Sequence, residues 1–313
     1  MSRRRRPLAW PKRPVRWIEG DTLCISVPFT CTLPSVRAFL SRPVLWRKVR
    51  IGGPAVDLMP GYLAGLPGVT IGGDMPGVLQ RVNPQATRST LGCVNHCGFC
   101  AIGTGKVESG GFRELTDWPD LPVLCDNNLL AASPEHLDRV FDRLERWGWC
   151  DFNQGLDVRL LNEYHAERIA RIPGSISRLA MDSMSLAPAW ERAFRMLHDR
   201  GVAKARISAY VLIGFKTGPE EAWTRLTWLE KTIGIDPCPM WFHPLDALTY
   251  NGITAEQRAL GWNEEEQRAV MGFFYKHRGE RRYTARKPFR PTPANALRTA
   301  AVGTKAGCHS KPD

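Results

Sequence analysis

Between residues 84 and 246, short apolar or β-branched runs alternate with stretches in which apolar positions recur every three or four residues. Such alternation is the signature of βα units around a parallel sheet. Six runs read as strands: Ala86 to Leu91, Pro122 to Cys125, Cys150 to Asn153, Arg178 to Met181, Ile207 to Ile213 and Pro239 to His243. The helices between them are marked by their ends as well as by their period. Ser133 and Pro134 form an N-cap and first-turn pair, Leu137, Val140, Phe141, Leu144 and Trp147 follow at helical spacing, and Gly148 stops the run. Trp190, Ala193, Phe194 and Leu197 repeat the pattern before Gly201, and Gly218 with Pro219 opens a helix carrying Ala222, Leu226, Leu229 and Ile233. These stripes predict core.

Outside that region the pattern changes. Upstream, Val49 to Pro54 (VRIGGP) and Val69 to Asp74 (VTIGGD) read as two strand and glycine-turn pieces of a small α/β unit. Downstream, Thr254 with Gln257 and Asn263 with Glu266 form two capping-box patterns. The second leads into Ala269, Val270, Phe273 and Phe274, with Lys276, His277 and Arg278 where cations complement the helix dipole. Both ends of the chain are Pro-rich, basic and aperiodic. The expected division is a basic disordered arm over 1–16, a small α/β N-terminal cap over 17–83, the βα region over 84–246, C-terminal helices over 247–283, and a disordered basic tail over 284–313. No repeat of 20 to 50 residues and no heptad pattern is present.

At 313 residues the chain can bury a sizeable core. It has nine cysteines, an odd count, and no secretory apolar region. Nothing in it approaches the ~18 apolar residues of a membrane span. Pro7, Pro11 and Pro14 stand where a twin-arginine signal would need an apolar helix. The expectation is a reducing, cytoplasmic location and no membrane partner. A formal charge of +12 favours a polyanionic partner, with nucleic acid a candidate, although basic termini also occur simply as solvated tails. Gly103-Thr104-Gly105-Lys106 does not satisfy the phosphate-loop pattern, so a nucleotide triphosphatase is not expected.

In α/β sheets and barrels, the loops leaving the carboxyl ends of the strands carry the chemistry. After the first expected strand comes LGCVNHCGFCAIG, with Cys93, Cys97 and Cys100. After the second come Asp126, Asn127 and Asn128, after the third Gln154, Gly155, Leu156 and Asp157, after the fourth Asp182 and Ser183, and after the fifth Gly214. These groups should share one face. A closed zinc site needs four ligands, so zinc would have to recruit His96, Cys125 or Cys150. Disulfides do not suit the compartment. A [4Fe-4S] cluster suits soft thiolates, and three cysteines would leave one of its four irons open for an exchangeable ligand.

Cys93-x3-Cys97-x2-Cys100, with aromatic Phe99 before the last cysteine and the motif following the first strand of a βα series, resembles the radical S-adenosylmethionine (radical SAM) superfamily. The resemblance covers about residues 84 to 246 and implies a partial (β/α)6 TIM-like barrel. It also implies that Cys93, Cys97 and Cys100 ligate the cluster and that the open iron binds the amino and carboxylate groups of S-adenosyl-L-methionine. The activity implied is transfer of one electron from the reduced cluster to the sulfonium, giving methionine and a 5′-deoxyadenosyl radical that abstracts hydrogen from substrate. The electron donor would be a flavodoxin or ferredoxin. Where the family has Gly-Gly-Glu after the second strand, this chain has Cys125-Asp126-Asn127-Asn128, which makes Asp126 and Asn128 candidates for the SAM ammonium. The fifth-strand glycine pattern is partly present as Val211-Leu212-Ile213-Gly214-Phe215, which points to Gly214. Phe99, Gln154, Asp157 and Asp182 complete the candidate contacts to SAM or substrate, with Arg159 able to pair with a carboxylate. The two Gly-Gly segments upstream resemble the end of a cobalamin-binding domain. The Asp-x-His-x-x-Gly motif that supplies the cobalt ligand is absent from the chain, so no cobalamin is expected. The competing reading is a zinc-stabilised nucleic-acid-binding protein without catalytic activity.

Overall fold

Along Ile207–Ile213 every second side chain is buried, as expected of a strand with one face against a core. In the computed structural model, residues 13–42, 46, 48–72, 75–250 and 252–274 are described. Of the expected disordered arm over 1–16, residues 1–12 lie outside the described residues, whereas Val15 and Arg16 are ordered as the start of a strand paired with Ser26 and Ile25; the tail over 284–313, Lys276, His277, Arg278, Gly73 and Asp74 also lie outside the described residues.

The N-terminal part comprises β1 (Val15–Glu19), β2 (Thr22–Ser26), α1 (Leu33–Leu40), β3 (Lys48–Gly52), α2 (Pro54–Leu58), β4 (Val69–Ile71) and α3 (Val78–Val82). Its sheet has the order β1-β2-β3-β4, with β1 antiparallel to β2 and the other pairs parallel. Gly53 has φ +101, and a side chain there would come within 2.9 Å of the Ser26 Oγ and of the Val27 backbone. The expected Gly-Gly turn after β3 is therefore a close approach between two strands' ends.

The remainder runs β5 (Ala86–Thr87), β6 (Thr90–Leu91), β7 (Arg113–Glu114), β8 (Val123–Leu124), α4 (Pro134–Trp147), β9 (Trp149–Phe152), α5 (Glu163–Ala170), β10 (Gly174–Ala180), α6 (Ala187–His198), β11 (Ile207–Ile213), α7 (Pro219–Thr227), β12 (Pro237–Trp241), α8 (Ala255–Ala259) and α9 (Glu264–Phe274). Six strands form one parallel sheet in the order β12-β11-β10-β9-β8-β5. Neighbours follow chain order without reversal. The connecting helices α4, α5, α6 and α7 share one core against one face of this sheet.

Helix α4 shows why these elements form. The Ser133 side chain accepts from His136 N–H at the N-terminus, and Gly148 at φ +67 closes the C-terminus. Its stripe of Leu137, Val140, Phe141 and Leu144 is buried. At about 1.5 to 3 kcal/mol per large apolar side chain, that stripe contributes roughly 6 to 12 kcal/mol of docking. One core holds Leu124, Phe152, Leu179, Ala209, Val211 and Ile213 against the helices. The opposite sheet face is more polar: Arg178 stands level with Ser208, Ala180 with Tyr210, and Asp151 with Ile176. Buried Asp151 pairs there with buried Arg178, whose guanidinium lies 5.7 Å from the Tyr210 ring centre.

The expected strand Ala86 to Leu91 is two elements. Only Ala86 and Thr87 join the parallel sheet; Thr90 and Leu91 turn away and pair antiparallel with Glu114 and Arg113. The helix opened by Pro219 changes after Thr227 to a wider π-helical turn over Trp228–Ile233, which still buries Leu229 and Ile233. Both expected helix starts downstream are capped, by the Thr254 side chain with Gln257 and by Asn263 Oδ1, which accepts from the N–H groups of Glu265 and Glu266. The N-terminal part touches the six-stranded sheet near both edges. Leu79 of α3 packs on Ala86 and Val123, and Thr30 Oγ1 donates to the Ala247 carbonyl beyond β12 at 2.7 Å. No helix among the described residues is long and apolar enough to cross a membrane.

Candidate functional site

The three cysteines lie in the loop between β6 and β7, beyond the carboxyl end of β5, and all three are half-buried. The loop is wound tightly. Cys100 N–H donates to the Cys97 carbonyl at 3.0 Å, and Thr104 N–H to the Cys100 carbonyl at 2.9 Å. A side chain on Gly103 would meet the backbone N of Cys97 at 2.6 Å, its O at 2.8 Å and the Asn95 O at 3.2 Å. The loop's path therefore depends on a missing Cβ.

Two carboxylates anchor this loop. Asp126 is 3% exposed, and its Oδ1 accepts from Ser89 N, Ser89 Oγ, Thr90 N and Thr90 Oγ1 at 2.6 to 2.9 Å. Burial pushes the Asp126 carboxyl up, against the pull of those hydrogen bonds. This grip turns the chain out of the parallel sheet just before Cys93. Glu108, with φ 53, accepts from Gly92 N at 2.7 Å and Asn127 Nδ2 at 2.8 Å and pairs with Arg88 at 2.7 Å.

The polar wall of the site comes from the loops after β8, β9 and β10. Asn128 is 3% exposed; its Nδ2 lies 3.7 Å from Cys93 Sγ and 3.4 Å from Asp157 Oδ2. Its Oδ1 is buried with no hydrogen-bond partner. An unsatisfied buried acceptor beside a thiol is a place for a ligand's N–H donor. Asp157 accepts Arg159 Nε and Nη2, each at 2.8 Å, and Asn95 Nδ2 at 2.8 Å. Burial opposes its charge, but these donors outweigh it and hold Asp157 below the usual carboxylate range. Gln154 stands exposed in the same turn, outside the Asp157 network.

Asp182, just past β10, is half-buried, and its carboxyl is pushed up to about 6 by burial, with Arg225 and Arg159 acting the other way. Burial, then the charge of Asp182, pushes the Cys97 thiol up, while Arg159 counters. Cys97, Arg159 and Asp182 thus feel one another's charge. Arg225 of α7 is fully buried, donating to the Asp182 carbonyl at 2.5 Å and to Thr217 Oγ1 at 3.2 Å, which ties the ends of β10 and β11 together.

The other wall is aromatic. Phe99 meets Phe215 edge to face at 5.4 Å between ring centres, and Phe215 meets Phe242 at 4.9 Å. Gly214, at φ +82, is backed by Trp241 and by Gln257, whose Nε2 donates to the Gly214 carbonyl at 3.1 Å. The cysteines, Phe99, Asn128, Asp157 and Asp182 are thus linked by contact or charge; Asp126 grips the loop's root, and Gly214 faces the C-terminal helices. Sequence reasoning did not single out Asn95, Glu108, Phe215, Phe242 or Arg225, and it read Gln257 only as a helix cap. Phe215 was signalled only by its place after the fifth strand.

The donor set decides what this loop can hold. Zinc ligated by thiolates at about 2.3 Å brings its sulfurs to within about 4 Å of one another. Among the described residues, no group of three or more His, Cys, Asp or Glu side chains is arranged to hold a metal ion. A cubane would draw the same three thiols about a larger centre, each on a different iron. As for a fourth zinc ligand, His96 is exposed, Cys125 packs with Ala86 and Val123, and Cys150 lies in the helix-side core. Three half-buried thiols with an N–H donor on one sulfur and an orphaned acceptor alongside fit a cluster with an exchangeable ligand.

A cleft of about 820 Å³ flanks the far end of the cysteine loop, lined among others by Asp57, Ile71, Lys106, Glu108 and Arg113. The three cysteines do not line it. Positive charge is unevenly placed along the chain. Residues 13–274 carry 28 Lys and Arg against 29 Asp and Glu, whereas residues 1–12 carry five against none and residues 275–313 ten against two. The net positive charge therefore belongs to the two terminal segments.

No protein-family profile and no curated protein matches the chain. Among solved structures it is similar to the radical S-adenosylmethionine methyltransferase TsrM from Kitasatospora setae, with cobalamin and [4Fe-4S] cluster bound, at a TM-score of 0.49 and 12% identity. That similarity covers 70% of this chain and 63% of the other, so the chain spans less than two thirds of the methyltransferase's length.

Proposed function

We propose that the protein is a radical SAM enzyme in which Cys93, Cys97 and Cys100 hold a site-differentiated [4Fe-4S] cluster at the carboxyl end of a partial six-stranded (β/α) barrel. The observation that carries this reading is Asn128. Its amide nitrogen faces Cys93 Sγ while its buried Oδ1 has no partner, so a donor belongs beside the first cysteine. The amino group of S-adenosyl-L-methionine supplies such a donor. When bound, the cluster would supply the electron that cleaves the SAM sulfonium.

The chain's own residues have separable tasks in this reading. Asp126 and Glu108 fix the root and the far end of the loop that carries the three cysteines. The edge-to-face pair Phe99 and Phe215 offers an apolar wall for an adenine ring and keeps water from that side of the thiols. Arg159, half exposed while paired with Asp157, keeps guanidinium N–H groups at the mouth, where a carboxylate can dock. Residues 17–83 act as a cap on the barrel, and the basic terminal segments gather a polyanionic substrate such as RNA. A flavodoxin or ferredoxin delivers the electron.

The test is anaerobic reconstitution with iron and sulfide, followed by reduction in the presence of SAM. The wild type should yield 5′-deoxyadenosine and bind about four irons per chain, and the Cys93→Ala/Cys97→Ala/Cys100→Ala variant should do neither. Equal iron retention by the two proteins would refute the reading.

A further inference from the structure

Cys93 differs from the other two thiols in what surrounds its sulfur. Two N–H groups reach its Sγ, the backbone N–H of Asn95 at 3.4 Å and Asn128 Nδ2 at 3.7 Å. One oxygen organises both asparagines: Asp157 Oδ2 accepts from Asn95 Nδ2 at 2.8 Å and from Asn128 Nδ2 at 3.4 Å. Asp157 is itself fixed by the two-pronged grip of Arg159 and by the Arg159 backbone N–H at 3.0 Å. The three residues come from three loops, those of the cysteines, of β8 and of β9, so the arrangement exists only in the folded chain.

We propose that Asp157 is a positioning residue for Cys93. Through Asn95 and Asn128 it aims two N–H donors at the Cys93 sulfur and so raises the reduction potential of the cluster. The inference rests on the cluster reading above. Its physical basis is that a hydrogen bond to a ligating sulfur draws electron density from it and favours the more negative, reduced state. Partners one layer behind the ligands carry much of that control, because they decide whether the donor stays aimed. Asp157's own negative charge would act the other way. Arg159 neutralises it within the pair, which leaves the aimed donors as the net effect.

The measurement is the midpoint potential of the reconstituted cluster, by redox titration read from its paramagnetic signal without SAM. Asn128→Leu removes one donor at similar volume. Asp157→Ala/Arg159→Ala removes the organising pair without changing net charge, and Asn95→Ala cuts one tie while leaving the backbone N–H in place. The expected result for Asn128→Leu and for the paired variant is about a tenfold smaller ratio of reduced to oxidised cluster at fixed poise, equivalent to about 59 mV for one electron. Asn95→Ala should give a smaller fall in the same direction. Adding Asn128→Leu to the paired variant should lower the ratio little further, since the donor has already lost its aim. Ratios within twofold of wild type in both Asn128→Leu and the paired variant, at equal iron content, would overturn the inference while leaving the cluster reading standing. A wild type that holds no cluster would overturn both. Should the paired variant not fold, Asn128→Leu and Asn95→Ala decide the matter.

Discussion

Gly103→Ala tests whether the cysteine loop is held in one geometry by its backbone. The new Cβ would sit 2.6 Å from Cys97 N, 2.8 Å from Cys97 O and 3.2 Å from Asn95 O. All three are main-chain atoms, so no side-chain rotation relieves the contact, and the segment carrying Cys97 must move by several tenths of an ångström. Overpacking of this kind costs about 1 to 3 kcal/mol. At 1.4 kcal/mol per factor of ten, the population of the native loop geometry falls roughly 5- to 150-fold. Apoprotein can relieve the strain by displacing the loop, so its melting temperature should drop by only a few degrees. Holoprotein cannot, because three thiols must meet one cluster. The assay compares iron retained after anaerobic reconstitution and the rate of bleaching by a chelator, with Gly61→Ala as control, where a Cβ meets nothing within 4 Å. Gly103→Ala should lose its cluster at least about fivefold faster than wild type. Bleaching at the wild-type rate would refute the argument that the missing Cβ sets the loop.

Three further expectations follow from the same contacts. Asp182 is raised from 3.8 to about 6 when folded, so its contribution to stability is full below pH 3.8 and is lost as pH rises through about 6. Asp182→Asn should remove up to about 3 kcal/mol of that decline; urea unfolding at pH 4 and 7.5 checks it, and equal pH dependence in the two proteins would contradict it. Asp126→Ala leaves the N–H groups of Ser89 and Thr90 without their acceptor, about 1 to 3 kcal/mol each, and should lower both the melting temperature and cluster retention, whereas unchanged retention would sever Asp126 from the loop's geometry. Removal of residues 1–12 and 275–313 leaves a segment with one more acidic than basic residue, so retention on heparin or RNA at low salt should disappear; retention equal to the full chain would place polyanion binding on the folded part.

The parts of the fold legible in the sequence were those with local causes. Ser133, Pro134 and Gly148 bound a helix because cap chemistry acts within one turn, and Ile207–Ile213 is a strand because its alternation needs no partner to be read. Ala86 to Leu91 read as one strand, and locally it is. What splits it is a carboxylate 37 positions downstream, Asp126, gripping Ser89. The site shows the same limit. The spacing of Cys93, Cys97 and Cys100 was visible, and so was the polar character of Asn128 and Asp157 after their strands. That one Asp157 oxygen collects Asn95 and Asn128, and that Gln154 stands outside the network, depend on how three loops meet. The basic charge also looked global as a sum. Only its placement along the chain assigns it to the ends.

The proposed cluster has one iron open to S-adenosyl-L-methionine beside Cys93. The most direct measurement is the paramagnetic resonance spectrum of the reduced, reconstituted protein before and after adding SAM. The cluster signal should change shape on SAM addition and be missing from the Cys93→Ala/Cys97→Ala/Cys100→Ala variant. A wild-type spectrum that SAM leaves unchanged, or a signal of equal size in that variant, would contradict it.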